Sequence, residues 1–361
     1  MESPWVILGR GAEAMDVDEA PEPSDFFPTG MRPPPAVNIL VACRGAHPDA
    51  DNPDEFPYII AAGPFGFLTH FAVAPHYGTC FQDKPPSTHL VLVSPFYDNR
   101  GMPAATAERV PDRPGIGIVP ALEYIASVGI LFDGVHEIIA ELQVDHGGDH
   151  ATLVRFRGGQ WTRRGMDCPL PEVDDRDWVP HGAVSDNTSI CWFDLSWGIL
   201  SCDLNRPEAE LALHFHHLPG GRALDEATPD IHSTRCVTVT QDGKLRYVEI
   251  IREAAPPTVT MWTWFIGDHG WEWFPNYSVS FELIWNDDSY KATGLPRGVV
   301  PVLTAVSPAN HHVVYFALEQ NIFGVDVPMH RVEHWAPYNL VNVPGPQPPA
   351  SGRFLIPWTL P

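Results

Sequence analysis

The stretch that decides the fold class is Ser278-Val-Ser-Phe-Glu-Leu-Ile-Trp-Asn-Asp-Asp-Ser-Tyr-Lys-Ala-Thr-Gly-Leu-Pro296, followed by Pro301-Val-Leu303 and Val313-Val-Tyr-Phe-Ala-Leu318. Its β-branched and aromatic residues alternate with turn residues and leave no interval of helical period. We therefore predict an all-β protein, with a strand from Val279 to Trp285 and a turn at Asp287-Asp288-Ser289.

Short apolar runs recur along the rest of the chain, at a spacing of roughly 8–12 residues that is typical of all-β folds. Turns such as Gly158-Gly159 and Gln241-Asp242-Gly243-Lys244 join neighbouring runs into predicted hairpins. Residues 97–115 are predicted to form a loop, and 116–131 favour strand over a short helix. Roughly 15 or more candidate strands result, and a single sandwich needs fewer. A β-propeller of four-stranded antiparallel blades accommodates them and leaves few open edges.

Two apolar runs lie near the ends of the sequence, Trp5–Leu8 and Arg353–Trp358. We predict that they pair in one blade and close the propeller, because this pairing removes two open edges and buries their aromatic residues. Residues 11–36 combine acidic residues with prolines, which predicts an insert without regular structure. The predicted organisation is a first strand within residues 1–10, the disordered insert at 11–36 and a propeller-like domain over 37–361.

Composition and charge limit the classes of function. The chain has 361 residues, including 39 prolines, 12 tryptophans and 18 phenylalanines, which suits many short elements around an aromatic core. Its 45 acidic and 22 basic residues give a formal charge of −23, so its surface repels phosphate backbones and anionic lipid. We predict no nucleic-acid partner and no membrane partner. One basic cluster is interpreted as a solvated strand face; it comprises Arg155, Arg157, Arg163 and Arg164.

The first residues lack the basic and apolar segments of a secretory signal, and no run reaches the roughly 18 apolar residues of a membrane-spanning helix. We therefore expect an intracellular protein, cytoplasmic or nuclear. The six cysteines contain no Cys-x-x-Cys pair, and we predict that all of them are free thiols. They stand at positions 43, 80, 168, 191, 202 and 236.

Two groups of histidines have the composition of a metal site. His214 and His216 would point to one face of a strand, at a spacing that can chelate a metal. No third or fourth ligand is evident, so we interpret them as ordinary strand-end histidines and predict no metal. A second group surrounds a Gly-Gly turn and is interpreted as a plain β-turn, because a hard cation needs more converging oxygens. It comprises Asp145, His146, Asp149 and His150.

Three further patterns have both a functional and a structural interpretation. Glu282 with Asp287-Asp288 has the residue types of a paired-carboxylate hydrolase, but an Asp-Asp-Ser loop favours turn chemistry. Gly9-Arg10-Gly11 lacks the third glycine and the following helix of a dinucleotide loop, and we predict no cofactor. Four tryptophans in two pairs with i, i+2 spacing could stack a sugar or a peptide, but such a pattern favours one aromatic face of a core. They are Trp262, Trp264, Trp271 and Trp273.

The chain resembles the grass-expanded plant family called domain of unknown function 1618. The segments that carry the resemblance are Cys191–Leu204, Ser280–Pro296, Pro301–Val327, Trp5–Leu8 and Phe354–Trp358. The resemblance implies a propeller protein, and the family has no established activity, substrate or catalytic residues to carry over. Residues 11–36 and 97–115 show no family pattern.

The sequence leaves the function class open, with catalytic residues unknown. The leading hypothesis is a non-catalytic scaffold that binds an unidentified protein partner through loops on one face of the propeller. The alternative is a hydrolase with a carboxylate and histidine site in the central funnel. Converging Asp, Glu and His residues with shifted titration would favour the enzyme, and an exposed apolar patch would favour the scaffold.

Overall fold

The computed structural model describes most of the chain. The described ranges are 4–11, 13–15, 26–28, 32–43, 56–63, 66–72, 89–97, 103–111, 125–172, 176–186, 188–267, 270–338 and 354–360. The chain divides into two compact units. The first comprises 1–9, 30–38 and 218–360, and the second comprises 10–29 and 39–217.

Strands account for nearly all of the regular structure. The first group is β1 (Trp5–Gly9), β2 (Glu13–Met15), β3 (Phe26–Pro28), β4 (Val37–Asn38), β5 (Leu40–Cys43), β6 (Phe56–Gly63), β7 (Gly66–Ala72), β8 (His89–Tyr97) and β9 (Pro103–Arg109). The second group is β10 (Val128–Phe132), β11 (Glu137–Val144), β12 (His150–Arg157), β13 (Gln160–Asp167), β14 (Gly182–Ser185), β15 (Ser189–Asp194), β16 (Gly198–Asp203) and β17 (His214–His217).

The remaining elements follow in chain order. They are β18 (Arg235–Val239), β19 (Leu245–Ile251), β20 (Thr258–Gly267), β21 (Gly270–Ser280), α1 (Phe281–Asn286), α2 (Asp288–Thr293), β22 (Val302–Val306), β23 (Val313–Leu318), β24 (Asn321–Asp326), β25 (Arg331–Pro337) and β26 (Leu355–Thr359). Short 3-10 turns lie at Ile125–Ser127, Glu208–Glu210 and Ile231–Ser233.

The strands form six sheets in the part of the chain that the structure describes. The first unit contains β18 to β21, β22 to β25 and the three-stranded sheet β26-β1-β4, which we call the terminal sheet. The second unit contains β10 to β13, β14 to β17 and a seven-stranded sheet ordered β2-β5-β3-β9-β8-β7-β6. Within each four-stranded sheet, strands that follow in sequence are antiparallel neighbours. The all-β prediction is confirmed, and the fold is a β-propeller in which four of the six described sheets are four-stranded antiparallel blades.

The predicted pairing of the two ends is also confirmed. β1 pairs antiparallel with β26 over five residues, from Trp5 opposite Thr359 to Gly9 opposite Leu355. On its other side β1 runs parallel to β4. The side chain of Ile7 is fully buried and packs in a cluster that includes Tyr315 of β23. The terminal sheet therefore belongs to the hydrophobic core of its unit.

The strand predicted from Val279 to Trp285 is wrong over most of its length. The predicted strand from Val279 to Trp285 ends at Ser280, and Phe281–Asn286 is helical. The Ser280 side chain caps this helix by accepting a hydrogen bond from the Glu282 backbone N–H at 3.1 Å. Phe281 and Trp285 stack at 5.8 Å, and together with Ile284 they cover the core between β18–β21 and β22–β25. An i, i+3, i+4 apolar spacing was thus present within the stretch.

Two other predictions are corrected in the second unit. Residues 97–115 were expected to form a loop, but β9 pairs with β8 along its whole length, from Tyr97 opposite Pro103 to Val91 opposite Arg109. Tertiary pairing overrides the weak local propensity of this segment. Inside the predicted insert at 11–36, β2 and β3 pair with β5, so the expectation of no regular structure is wrong for them. Residues 12, 16–25 and 29–31 lie outside the described residues, and the predicted domain organisation stays a prediction.

The second unit has its own core between β10–β13 and β14–β17. Trp192 is fully buried there, and its indole N–H donates to the Ser127 carbonyl at 2.7 Å, so its one polar atom is satisfied. A small cavity near the minimum size for one water lies between β7 and β10, lined by residues such as Leu92, Ile130 and Glu137. Neither α-helix in the described ranges is long and apolar enough to cross a membrane.

Candidate functional site

The hairpin of β20 and β21 extends past the end of β19. β19 pairs with β20 only as far as Thr263, whereas β20 and β21 continue to pair as far as Gly267 and Gly270. We call residues 264–267 and 270–274 the aromatic arm. A two-stranded ribbon is marginally stable by itself, so contacts between its own side chains must hold the arm together.

Aromatic pairs on both faces of the arm provide those contacts. Residues opposite each other in an antiparallel ladder share a face. Trp264 lies opposite Trp273, with ring centroids 5.0 Å apart, and Trp273 also contacts Tyr247 of β19 at 6.2 Å. On the other face Phe265 and Phe274 meet edge to face at 5.7 Å. Aromatic packing therefore connects the two strands of the arm to each other and, through the buried Tyr247, to the sheet from which the arm extends.

Three of the four tryptophans share one aromatic face that contacts the buried Tyr247, so they lie at the edge of the core rather than inside it. Trp262, Trp264 and Trp273 are all half-buried, and Phe274 is 55% exposed. The side chain of Trp271 lies outside the described residues. The spacing of the tryptophans did not predict the partial exposure of their side chains, because that exposure depends on the residue at which β19 begins.

The chain around the arm is acidic. No lysine or arginine occurs between Arg252 and Lys291. The same interval holds six acidic residues, which are Glu253, Asp268, Glu272, Glu282, Asp287 and Asp288. Glu272 is exposed on the arm and lies opposite Phe265, so a carboxylate and an aromatic ring share one face.

The two histidines of β17 lie on one face, as predicted, and the structure adds a serine to them. Ser201 of β16 lies opposite His214, and its Oγ is 2.8 Å from Nε2 of His216. Burial lowers the pKa of His216 to about 4, and the nearby His214 adds to this effect. His216 is therefore neutral at pH 7, and its Nε2 can accept a hydrogen bond from the Ser201 hydroxyl in the tautomer that is protonated at Nδ1. Sequence reasoning missed Ser201 because the pairing register of β16 and β17 brings it there.

The four residues around the Gly-Gly turn do not converge. Gly147 and Gly148 adopt left-handed backbone conformations, and the Gly148 N–H donates to the Asp145 carbonyl at 2.9 Å. The ring of His146 contacts Asp177, and the ring of His150 lies 3.9 Å from Asp167. In the described part of the chain no cluster of three or more His, Cys, Asp or Glu side chains has the arrangement of a metal site. The prediction that His214 and His216 hold no metal stays a prediction.

The acidic pair in the opening stretch serves a helix rather than a turn. Asp287 caps α2 by accepting a hydrogen bond from the Ser289 backbone N–H at 2.8 Å. Hydrogen bonds from Ser289 hold the pKa of Asp287 below its usual value. Asp288 pairs with Lys291 at 2.8 Å on the exposed side of the helix. The two carboxylates therefore have separate structural partners.

A buried ion cluster was not foreseen from the sequence. Both carboxylate oxygens of Glu249 are engaged, one by Nε of Arg222 at 2.6 Å and the other by guanidinium groups of Arg222 and Arg235 at 2.7 and 2.8 Å. Glu249 and Arg235 are each 4% exposed. Removing either partner would leave an uncompensated buried charge, so the cluster anchors β18 to β19.

The remaining sequence-based sites also have structural partners. Arg155 is buried and lies 3.5 Å from Glu208, and Arg157 lies 2.5 Å from Asp133, so the interpretation as a solvated face is wrong for Arg155. The guanidinium of Arg10 donates to the Ile59 carbonyl at 2.9 Å and so ties its segment to β6.

The cysteines of the described side chains are free, as predicted. They are Cys168, Cys191, Cys202 and Cys236. Burial raises the pKa of Cys168 and of Cys202 to about 11, which makes both thiols poor nucleophiles. The side chain of Cys43 and all of Cys80 lie outside the described residues.

Comparison with protein families supports part of the resemblance drawn from the sequence. A family described as "Protein of unknown function (DUF1618)" matches residues 192–315, about a third of the chain. This match covers β16, β17 and the aromatic arm. No curated protein matches the chain.

Solved structures match at low identity. Citrobacter koseri AztD is 12% identical over 79% of this chain and 60% of its own, with a TM-score of 0.36. Saccharomyces cerevisiae Sqt1 is 12% identical over 83% of this chain and 66% of its own, with a TM-score of 0.37. A Penicillium chrysogenum alpha-L-arabinanase complexed with arabinobiose is 9% identical over 90% of this chain and 83% of its own, with a TM-score of 0.33. The chain thus spans less than two thirds of AztD, and at these values the likenesses carry no conclusion about function.

Proposed function

We propose that the protein is a non-catalytic, intracellular protein-interaction scaffold of the grass-expanded plant family, and that the aromatic arm is its binding element. The observation that carries the proposal is the 55% exposure of Phe274 on a ribbon with aromatic rings on both faces. Exposed apolar patches rimmed by polar groups mark interaction sites, and aromatic residues supply much of the binding energy at interfaces.

The engagement of two carboxylates, Asp287 and Glu249, also favours binding over catalysis. Asp287 caps a helix, and Glu249 has both oxygens held by guanidinium groups. A general acid or base must reach a substrate proton, and these carboxylates are already committed to other partners. The proposal includes no cofactor, metal or nucleic acid.

Capture from a plant extract tests the scaffold function. The arm is removed by joining Thr263 to position 274, which lies opposite it, through Asn-Gly, a two-residue turn suited to hairpins, with Phe274→Ser in the same variant. The matched control is Glu333→Lys with Trp335→Ala on β25, where Trp335 is 48% exposed. A partner captured by the intact protein is then purified and retested. We expect the arm-shortened protein to lose it and the control to retain it; equal binding by both overturns the proposal.

One observation favours the hydrolase alternative. A serine hydroxyl 2.8 Å from a neutral imidazole is an arrangement from which a nucleophile can be activated. Treatment with a fluorophosphonate probe, which labels activated serines covalently, separates the two functions. The scaffold predicts no labelling at Ser201. Labelling that disappears in Ser201→Ala would assign the protein to the enzymes.

A further inference from the structure

Resting on the proposed function, we propose that the aromatic arm binds an extended, arginine-containing segment of a partner protein. Three features of the face that carries Phe265 and Phe274 support this choice of partner: its aromatic rings, its carboxylate and the absence of lysine and arginine from residues 253–290.

The rings and the carboxylate lie within reach of a single guanidinium group. Glu272 and Phe274 are two residues apart on β21 and therefore point to the same face, roughly 7 Å apart along the strand. Phe265 lies opposite Glu272 and packs edge to face against Phe274. A guanidinium stacked on the exposed Phe274 ring can thus turn its N–H groups towards the Glu272 carboxylate.

The negative charge of the protein and of the chain around the arm favours a cationic partner. The chain carries a formal charge of −23, and no lysine or arginine occurs between Arg252 and Lys291. Arg246 shares the row of Thr263 and Phe274, but it is 2% exposed and is paired with Asp242 at 2.7 Å. The exposed Lys244 precedes β19, and its Nζ lies 3.8 Å from the same Asp242 carboxylate. The interval that carries the arm supplies no lysine or arginine to Glu272, so a cation on a partner is complementary to it.

Arginine fits this face better than lysine. Its planar guanidinium stacks on a ring and donates two parallel hydrogen bonds to a carboxylate, whereas an ammonium group is a compact and strongly hydrated charge. The protein already contains a contact between a guanidinium group and an aromatic ring: the guanidinium of Arg176 lies over the ring of Trp197, 4.5 Å from its centre.

An extended segment matches the shape of the arm. β21 ends the four-stranded order β18-β19-β20-β21, and no strand in the described ranges pairs with its outer edge. An extended chain laid along a ribbon presents every second side chain to it. Pro275 follows the arm and lacks an N–H group, so strand addition is limited to the part of β21 before it.

Fluorescence anisotropy with labelled peptides tests the proposal on the full chain. The probe is an extended Gly/Ser peptide with arginine at alternate positions, and matched peptides carry lysine or glutamine instead. We expect affinity to fall in the order arginine, lysine, glutamine and to weaken as salt rises from about 50 to 200 mM. Glu272→Lys should weaken arginine-peptide binding at least about tenfold, and Phe274→Ala about two- to fivefold.

β25 supplies the matched controls. It also places an acidic residue and an exposed tryptophan two positions apart, Glu333 and Trp335, but it begins with Arg331 and bulges beside Glu333. Glu333→Lys and Trp335→Ala should leave peptide affinity unchanged.

The outcomes separate this inference from the proposed function. Equal binding of arginine and glutamine peptides, loss of affinity in the β25 variants, or salt-independent binding of a neutral oligosaccharide in place of the peptide overturns the arginine proposal. If a captured partner is still lost with the arm, the scaffold function survives that result. If neither peptide nor partner depends on the arm, both proposals fail.

Discussion

The terminal sheet and the aromatic arm are built from similar residues and bury them to opposite extents. β1 places Val6, Ile7 and Leu8 at 2% exposure or less, whereas Phe274 in the arm is 55% exposed. Both segments are short and contain apolar and aromatic residues. Local hydrophobicity therefore does not decide which of them enters the core.

Strand neighbours account for the difference. β1 has a partner on each side, β26 and β4, and its sheet packs against β23. The arm has no third strand in the described ranges, because the pairing of β19 with β20 stops at Thr263. An apolar side chain is buried only where a neighbouring layer covers it, and the arm reaches beyond the sheet that would supply one.

The largest effect should come from removing β1. Deleting residues 1–9 exposes one edge of β26 and uncovers the core around Tyr315, so we expect a fall in stability larger than that of any single substitution. Because a loss of this size can prevent folding altogether, Ile7→Ala and Ile7→Val form a graded series. Their expected costs are about 2–5 and about 0.5–1.5 kcal/mol. Urea unfolding measures them, and an unchanged midpoint for Ile7→Ala would place β1 outside the cooperative fold.

A smaller effect on stability is expected from adding a methyl group at Gly324, which packs against Tyr315 beside the terminal sheet. A Cβ at Gly324 would lie 2.9 Å from the Tyr315 ring. That ring has little freedom to move, because its hydroxyl is 2.9 Å from Nε2 of His334 and the ring meets Trp5 at 5.4 Å. Gly324→Ala should cost about 1–3 kcal/mol. Gly165→Ala is the matched control, since no heavy atom lies within 4 Å of its added Cβ. Equal unfolding midpoints for the two variants would mean that Tyr315 is loosely packed.

Much of the fold could be predicted from the sequence, and the errors have identifiable causes. Strand spacing predicted the propeller, and the two lone apolar runs predicted the pairing of β1 with β26. The helix at Phe281–Asn286 was missed because aromatic and branched residues were taken as a strand signal, although Ser280 stood in position to cap a helix. β9 was missed because its alanines have little intrinsic strand propensity. The segment is a strand because it pairs with β8.

Less of the candidate site could be predicted. The i, i+2 spacing of Trp262 and Trp264 indicated a shared face, but their exposure depends on the length of β19, which no local pattern encodes. The spacing of His214 and His216 likewise predicted a common face. The pairing register of β16 and β17 places Ser201 beside them, and this register depends on the whole sheet.

Trp264→Ala should separate the arm from the rest of the fold. The change removes the ring contact with Trp273, a contact of a kind worth about 0.5–1.5 kcal/mol, from a ribbon with no third strand. Hydrogen exchange should therefore accelerate at the amides of the arm while those of β1 keep their protection. Trp335→Ala provides the comparison on β25 and should leave exchange in the arm unchanged. Uniform acceleration across both regions would show that the arm and the terminal sheet open together.

The smallest effect on stability is expected from Phe274→Ser, although this residue carries the proposed function. Its side chain is 55% exposed and contacts Phe265 edge to face at 5.7 Å, so the substitution removes little buried area. Surface changes of this kind usually stay within about 0.5 kcal/mol. Urea unfolding of Phe274→Ser and Ile7→Ala side by side compares the two regions directly. We expect the Phe274→Ser midpoint to match that of the unchanged protein while the Ile7→Ala midpoint falls. A fall of similar size in both would mean that Phe274 is covered in solution, and the arm would then have to be described as part of the core.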